Sequence, residues 1–147
     1  MIIPDVNLLL YAYNAETRQH EAARQWWTEQ LNGSEAVGLA WVAILGFIRL
    51  TTSARVAARP LPVATACAFV RSWLERPQVS VIAPGREHAT ILFRLLEGLG
   101  VGANLTTDAH LAALAIEHQA QLQSTDADFA RFPGLRWRNP LLRPKAH

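Results

Sequence analysis

Short apolar runs and longer stretches of helical periodicity alternate along the chain from its first residue. Met1–Pro4 is apolar and β-prone, and the Leu8–Tyr11 run after Asp5 has the character of a buried helix, so the chain opens on a strand-to-helix junction. From Thr17 to Leu31 the positions Arg18, Glu21, Arg24 and Gln25 alternate with Ala22, Ala23, Trp26 and Trp27 at helical spacing, and Asn32-Gly33 ends the segment. Ala36–Leu39 reads as a second buried strand, and Trp41–Leu50, apolar nearly all round, as a helix. Two prolines and several small residues make Arg55–Pro62 a loop, ahead of an amphipathic helix that runs through Leu74 and stops near Pro77. Val79–Ile82 is the third strand. Arg86–Leu99 and Thr107–His118 are further helices on either side of a Gly100-Val-Gly102 loop; Gln121–Ser124 is a fourth short strand and Leu135–Trp137 a candidate fifth.

Strands that alternate with helices, each short and apolar on both sides, predict an α/β fold of three layers. A mostly parallel central sheet of about five short strands carries helices on both faces. No repeat, low-complexity tract or linker interrupts the pattern, and residues 1–147 read as one domain of ordinary size. In such sheets ligands bind beyond the C-terminal ends of the strands, where the strand order reverses. The residues just after the first and fourth strands therefore matter most for function.

Composition narrows the classes. The chain is 50% hydrophobic, yet Asp5, Arg49 and Arg71 break its longest apolar runs well short of the ~20 residues of a membrane span, so no membrane segment is expected. The opening Met-Ile-Ile-Pro-Asp lacks the basic region, apolar core and cleavage site of a secretory signal, which predicts a cytoplasmic location. The single cysteine, Cys67, falls in the apolar pattern Val63, Ala66, Cys67, Val70 and reads as a buried structural thiol. Trp26, Trp27, Trp41 and Trp73 lie in apolar helical stripes, as core or dimer surface. A net charge of +2 is too small to mark a nucleic-acid binder. Thirteen of the fourteen basic residues are Arg, whose planar fork suits phosphate, but an Arg-rich genome explains that bias equally well.

The acidic residues are more telling. There are only four Asp, at positions 5, 108, 126 and 128, whereas the eight Glu are spread over solvated helix faces. Asp5 directly follows the first strand, Asp108 opens the helix after the glycine loop, and Asp126 and Asp128 follow the fourth strand. In a doubly wound sheet these places can meet at one edge. Hard oxygen ligands that meet without His or Cys partners suit Mg²⁺ or Mn²⁺. The matching chemistry is phosphodiester hydrolysis, in which bound metal supplies the hydroxide and neutralises the leaving oxygen.

Each Asp also has an ordinary explanation. Asp5 could cap the following helix, Asp108 sits in a first turn that favours any acid, and Thr125-Asp-Ala-Asp128 approximates a helix start. Taken together the ordinary explanations weaken, because all four would fall at the functional edge by chance. Asp126 ranks above Asp128 as a ligand, because Asp128 lies within the next helix. Asn7 could hydrogen-bond a ligand or water, or serve the helix start; Thr106 or Thr107 is expected to cap its helix, with Thr107 a candidate phosphate contact. His110, two residues past Asp108, points to a different helix face and reads as a polar boundary residue.

With these residues laid out, the chain resembles the PIN-domain ribonucleases, specifically VapC-type toxins of bacterial toxin–antitoxin pairs. The likeness runs nearly end to end. It rests on Asp5-Val-Asn-Leu-Leu-Leu-Tyr-Ala12, Gly46-Phe-Ile-Arg-Leu-Thr-Thr52, Asn104-Leu-Thr-Thr-Asp-Ala-His-Leu-Ala-Ala113 and Ser124-Thr-Asp-Ala-Asp-Phe-Ala-Arg-Phe-Pro-Gly134, with Asn139-Pro-Leu141 after it. The resemblance implies a PIN-like fold and a Mg²⁺- or Mn²⁺-dependent endoribonuclease that cuts structured RNA, tRNA or rRNA, to stop translation. It implies Asp5, Asp108 and Asp126 as the metal-binding, catalytic acids, a homodimer, and a VapB-type antitoxin whose C-terminal segment crosses the active groove. There is one departure. Many PIN domains carry a Glu in the helix after the second strand, where this chain has Gly46. Asp128 is the candidate replacement. Arg49 and Arg131, within or beside family-like motifs, are the candidate RNA-phosphate contacts.

Two rivals remain. Asp5-Val-Asn7 imitates the nucleophile motif of haloacid-dehalogenase-like phosphatases, but that chemistry wants an interior Lys, and Lys145 is the only one. The other rival is a non-catalytic PIN-like binding module, disabled by Gly46, that sequesters RNA or a protein partner.

Overall fold

The computed structural model describes residues 1–142, so Lys145 lies outside the described residues. The elements are β1 (Ile2–Pro4), α1 (Val6–Tyr13), α2 (His20–Asn32), β2 (Val37–Ala40), α3 (Trp41–Thr51), α4 (Val63–Leu74), β3 (Val79–Ile82), α5 (His88–Leu99), α6 (Thr106–Glu117), β4 (Gln121–Gln123) and β5 (Trp137–Arg138). Short 3-10 turns span Ala103–Leu105 and Ala127–Arg131. The sheet is parallel throughout, in the order β3-β2-β1-β4-β5.

Strand order reverses between β1 and β4, the pair that the sequence marks for function. β1 feeds α1 and α2 and returns to β2; β2 feeds α3 and α4 and returns to β3. The chain then crosses through α5 and α6 to the other side of β1. Right-handed crossovers place the first four helices on one face and the last two on the other. Two cores result. Ile2, Val37, Leu39 and Val79 pack with Leu8, Leu9, Trp26, Trp27, Phe47 and Trp73. On the opposite face Ile3, Ile82 and Leu122 pack with Ile91, Leu95, Leu111, Leu114 and Phe129.

Local chemistry sets the element ends. Asp5 is extended and its carboxylate accepts from Val6 N at 2.8 Å, which starts α1. Gly100 closes α5 in the left-handed region at φ 70°, which a side chain would strain. α3 packs so closely on α1 that a Cβ on Gly46 would lie 3.1 Å from Val6 Cγ2.

Several expectations need correction. The strands are not all apolar on both faces: Ser80 and Val81 of the edge strand β3 are exposed, and β4 carries two glutamines, of which Gln123 is buried with its Oε1 accepting from Trp26 Nε1 at 2.9 Å. Each face of this edge strand is covered at one end only, by Val79 in one core and Ile82 in the other, and a buried polar side chain such as Gln123 is tolerated once bonded. Cys67 is half-buried, because Ala66, Val70 and Trp73 form the inward stripe of α4. Neither Thr106 nor Thr107 caps α6; both lie inside the helix, whose N-cap Leu105 makes no side-chain bond. Trp26, Trp27 and Trp73 are core, whereas Trp41 is 56% exposed. No helix among the described residues is long and apolar enough to cross a membrane.

Candidate active site

Parallel strands present all their C-terminal ends at one edge, and the switch point between β1 and β4 brings Asp5 and Asp126 there. Asp5 N donates to Gln123 O at 2.9 Å, locking the end of β1 to the end of β4. Asp5 is only 5% exposed. Its Oδ1 accepts from Val6 N, and its Oδ2 accepts from the hydroxyl of fully buried Ser124 at 2.7 Å. Ser124 Oγ in turn accepts from Asp126 N at 3.0 Å, so one hydroxyl holds both acids in register. Asp126 starts the 3-10 turn by accepting from Asp128 N at 2.9 Å.

Asp108 arrives from the other core, in the first turn of α6, and is half-buried. Its pKa is pushed up to about 6, first by burial and then by the charges of Asp5, Asp126 and Asp128. Burial, opposed by the two hydrogen bonds and reinforced by Asp126, also raises Asp5. The four aspartates of the sequence are therefore electrostatic neighbours, and no cation is among the groups that shift Asp5 or Asp108. Among the described residues no group of three or more His, Cys, Asp or Glu side chains stands close enough together to hold a metal ion as placed.

The ordinary duties expected of Asp5 and Asp126 are real, since both cap the segment that follows. Capping does not explain why the two share Ser124 or why both raise Asp108. Asp128 is exposed and contributes charge from the rim. Asn7 is half-buried in the first turn of α1, where Asp5 takes the capping role. Thr107 is exposed beside Asp108. Arg49, exposed in the last turn of α3, stands one turn beyond Gly46 and its contact with Val6; Arg131 is exposed at the end of the 3-10 turn after Asp126. His110 turns away to His88, with Nδ1 3.0 Å from His88 Nε2, and burial lowers the pKa of both rings. An apolar cavity lined by Leu10, Tyr13, Leu50, Val56 and Leu61 lies at the C-terminal ends of α1 and α3, and none of the four aspartates lines it.

Ser124 is the residue that sequence reasoning passed over. Its signal was a hydroxyl at a buried strand end, two residues before an Asp, the spacing at which Ser captures a backbone N–H.

A parallel α/β sheet with aspartates gathered at its switch point defines a class of acid-edged domains, and comparison with known proteins narrows it. The PIN domain family model matches residues 2–135. Ribonuclease VapC33 of Mycobacterium tuberculosis is 50% identical over 141 residues, 96% of this chain and 99% of that one. Ribonuclease VapC37 of the same organism is 46% identical over 140 residues, 95% and 97% of the two chains. Among solved structures, the fold is similar to VapBC2 from Rickettsia felis bound to a DNA fragment from their promoter, with a TM-score of 0.69 at 17% identity over 95% of this chain and 98% of that one. It is also similar to VapC20 of Mycobacterium tuberculosis, a Sarcin-Ricin loop cleaving toxin, with a TM-score of 0.67 at 19% identity over 92% and 99%. The chain belongs to the PIN-domain family, and within it to the VapC group.

Proposed function

We propose that this chain is a metal-dependent endoribonuclease, the toxin of a VapBC-type pair, with Asp5, Asp108 and Asp126 as its metal-binding acids. The observation that carries the reading is the meeting of these carboxylates at the switch point, where burial first and then the charges of Asp5, Asp126 and Asp128 raise the pKa of Asp108 to about 6. The donor set fits the metal. It is all hard oxygen, it is crowded with like charge that a cation relieves, and its open arrangement suits Mg²⁺, which keeps several waters; Mn²⁺ can substitute. When bound, such a metal supplies a hydroxide at neutral pH and stabilises charge on the phosphate oxygens.

The chain's own residues do the rest. Ser124 fixes the Asp5 carboxylate by donating to Oδ2, and holds the Asp126 backbone through its own lone pair. Burial of Asp5 and half-burial of Asp108 keep the charges effective by limiting water around them. Asn7 and Thr107 offer polar groups at the rim, Arg49 and Arg131 take substrate phosphates, and Asp128 serves in place of the acid absent at Gly46. Folded RNA such as tRNA or rRNA offers unstacked loops that side chains can read, unlike a regular duplex. Kinship with the VapC group supports a VapB-type antitoxin as partner. Exposed Trp41 and Leu45 on α3 and Phe93 on α5 supply apolar surface for a homodimer.

The test is cleavage of total cellular RNA by purified, antitoxin-free protein with Mg²⁺ or Mn²⁺, beside an EDTA control and Asp5→Ala. Discrete fragments lost in both controls support the reading. Absence of cleavage by folded, metal-replete protein overturns it in favour of a binding module. Unchanged metal affinity in Asp128→Asn would remove Asp128 from the ligand set.

A further inference from the structure

One end of the carboxylate edge has no role in the ribonuclease reading. β5 is the outermost strand beside β4, and in a parallel sheet its last residue reaches the edge that carries Asp5 and Asp126. Ser124 N donates to Arg138 O at 3.1 Å, and Trp137 Nε1 donates to Ser124 O at 3.1 Å. The end of β5 is thus tied from both sides to the residue that positions Asp5. With strands about 4.8 Å apart, it stands one strand from the segment leading to Asp126 and two strands, about 10 Å, from Asp5.

The side chains at this end are a cation and an oriented amide. Arg138 is exposed and makes no ion pair among the described residues, where the only carboxylate pairs recorded are those of Glu21 with His20 and Arg24. Its register partner is Gln123, whose side chain is held by Trp26 of α2, so pleat alternation sends Arg138 out on the α2 face of the sheet. Asn139 follows, half-buried, with Oδ1 accepting from Leu141 N at 3.0 Å. That bond fixes the amide plane and leaves the two N–H of Nδ2 as donors.

An RNA strand crossing this edge meets four aspartates that repel its backbone, so the phosphates on either side of the cut need donors just outside the cluster. We propose that Arg138 and Asn139 form a shelf that binds the phosphate next to the scissile one, Arg138 through its guanidinium fork and Asn139 through Nδ2. The inference rests on the ribonuclease reading. It adds an anchor at the β5 end to those at Arg49 and Arg131.

The experiment measures binding of a short fluorescent single-stranded RNA across a salt series, together with KM and kcat for its cleavage. It compares the full chain with Arg138→Ala, Arg138→Lys, Asn139→Ala and, as a control, Arg76→Ala, which lies just before β3 at the opposite edge. Loss of one phosphate contact to a single strand lowers the slope of log K against log salt by about 0.7. Arg138→Ala is expected to show that loss, with KM raised about tenfold and kcat within a factor of about two, and Arg138→Lys to restore the slope. Asn139→Ala is expected to raise KM with the slope unchanged, because an amide releases no counterion, and Arg76→Ala to alter nothing. Parental slope and KM in Arg138→Ala, in a protein that still cuts RNA, overturn the shelf and leave the ribonuclease standing. A parent that neither binds nor cuts RNA overturns both.

Discussion

Neutralising Asp108 should stabilise the protein while abolishing its chemistry. A rise in its pKa from 3.8 to about 6 corresponds to about 3 kcal/mol of disfavoured charge at full weight. Asp108 is only half-buried, so screening by water and salt reduces this to about 1 kcal/mol. Because the folded-state value lies above the unfolded one, Asp108 favours folding fully only below pH 3.8, and that contribution is lost as pH rises through about 6. Metal-free parent protein at pH 7.5 therefore carries the whole cost. Asp108→Asn removes it, and for a chain of this size should raise Tm by about 3 °C at pH 7.5 in EDTA. The advantage should shrink as pH falls below about 6 and be smallest at pH 4, close to the unfolded value of 3.8. Millimolar Mg²⁺ should shrink the difference from the other direction by stabilising the parent more than the variant. The assay is thermal unfolding of both proteins by circular dichroism across this pH series. An Asn variant no more stable than the parent at pH 7.5, or an advantage undiminished at pH 4, would refute the crowded-carboxylate argument.

Three further outcomes follow from the same geometry. Ser124→Ala leaves the buried Asp5 Oδ2 and the Asp126 N–H without their shared partner, and should cost about 2 kcal/mol in chemical denaturation and lower kcat more than it raises KM. Trp26→Phe strands the buried Oε1 of Gln123 and should destabilise by about 1–2 kcal/mol, measured by the same method, with RNA cleavage retained per folded molecule. Gly46→Glu should lower Tm because its Cβ would lie 3.1 Å from Val6 Cγ2, and adding Val6→Ala should recover part of the loss; an additive double variant would contradict that contact.

The sequence made the layers legible because its punctuation is strong. Asn32-Gly33, the prolines of 55–62 and the Gly100 turn each mark a boundary that the structure keeps, and the short apolar runs between them are the strands. It was less legible where tertiary neighbours decide. Gln123 is accommodated in a buried strand only because Trp26, 97 residues away, supplies its partner, which no local pattern shows. Thr106 and Thr107 carried the right chemistry for a cap, but the preceding 3-10 turn delivers the chain already helical and places both inside α6. The same division runs through the site. The positions of Asp5, Asp108 and Asp126 follow from strand ends and a helix start, which local pattern reveals. The hydroxyl that couples two of them does not, because the bond from Ser124 to Asp5 spans 119 residues and exists only once β4 lies beside β1.

Gly46 shows how far one residue's meaning depends on that assembled context. In the sequence it reads only as an acid missing from a motif. In the fold it lies against Val6, the residue next to Asp5, and its lack of a side chain lets α3 approach the start of α1. A Glu there would press its Cβ on the β-branched Val6, which would have to give by a few tenths of an ångström in the turn where Val6 N holds Asp5, so an acid at this position works against the present packing. The negative charge that Asp108 senses comes instead from Asp5, Asp126 and Asp128, two of them on the segment after β4, which shifts the weight of the cluster away from α3 and toward the β4–β5 side of the sheet.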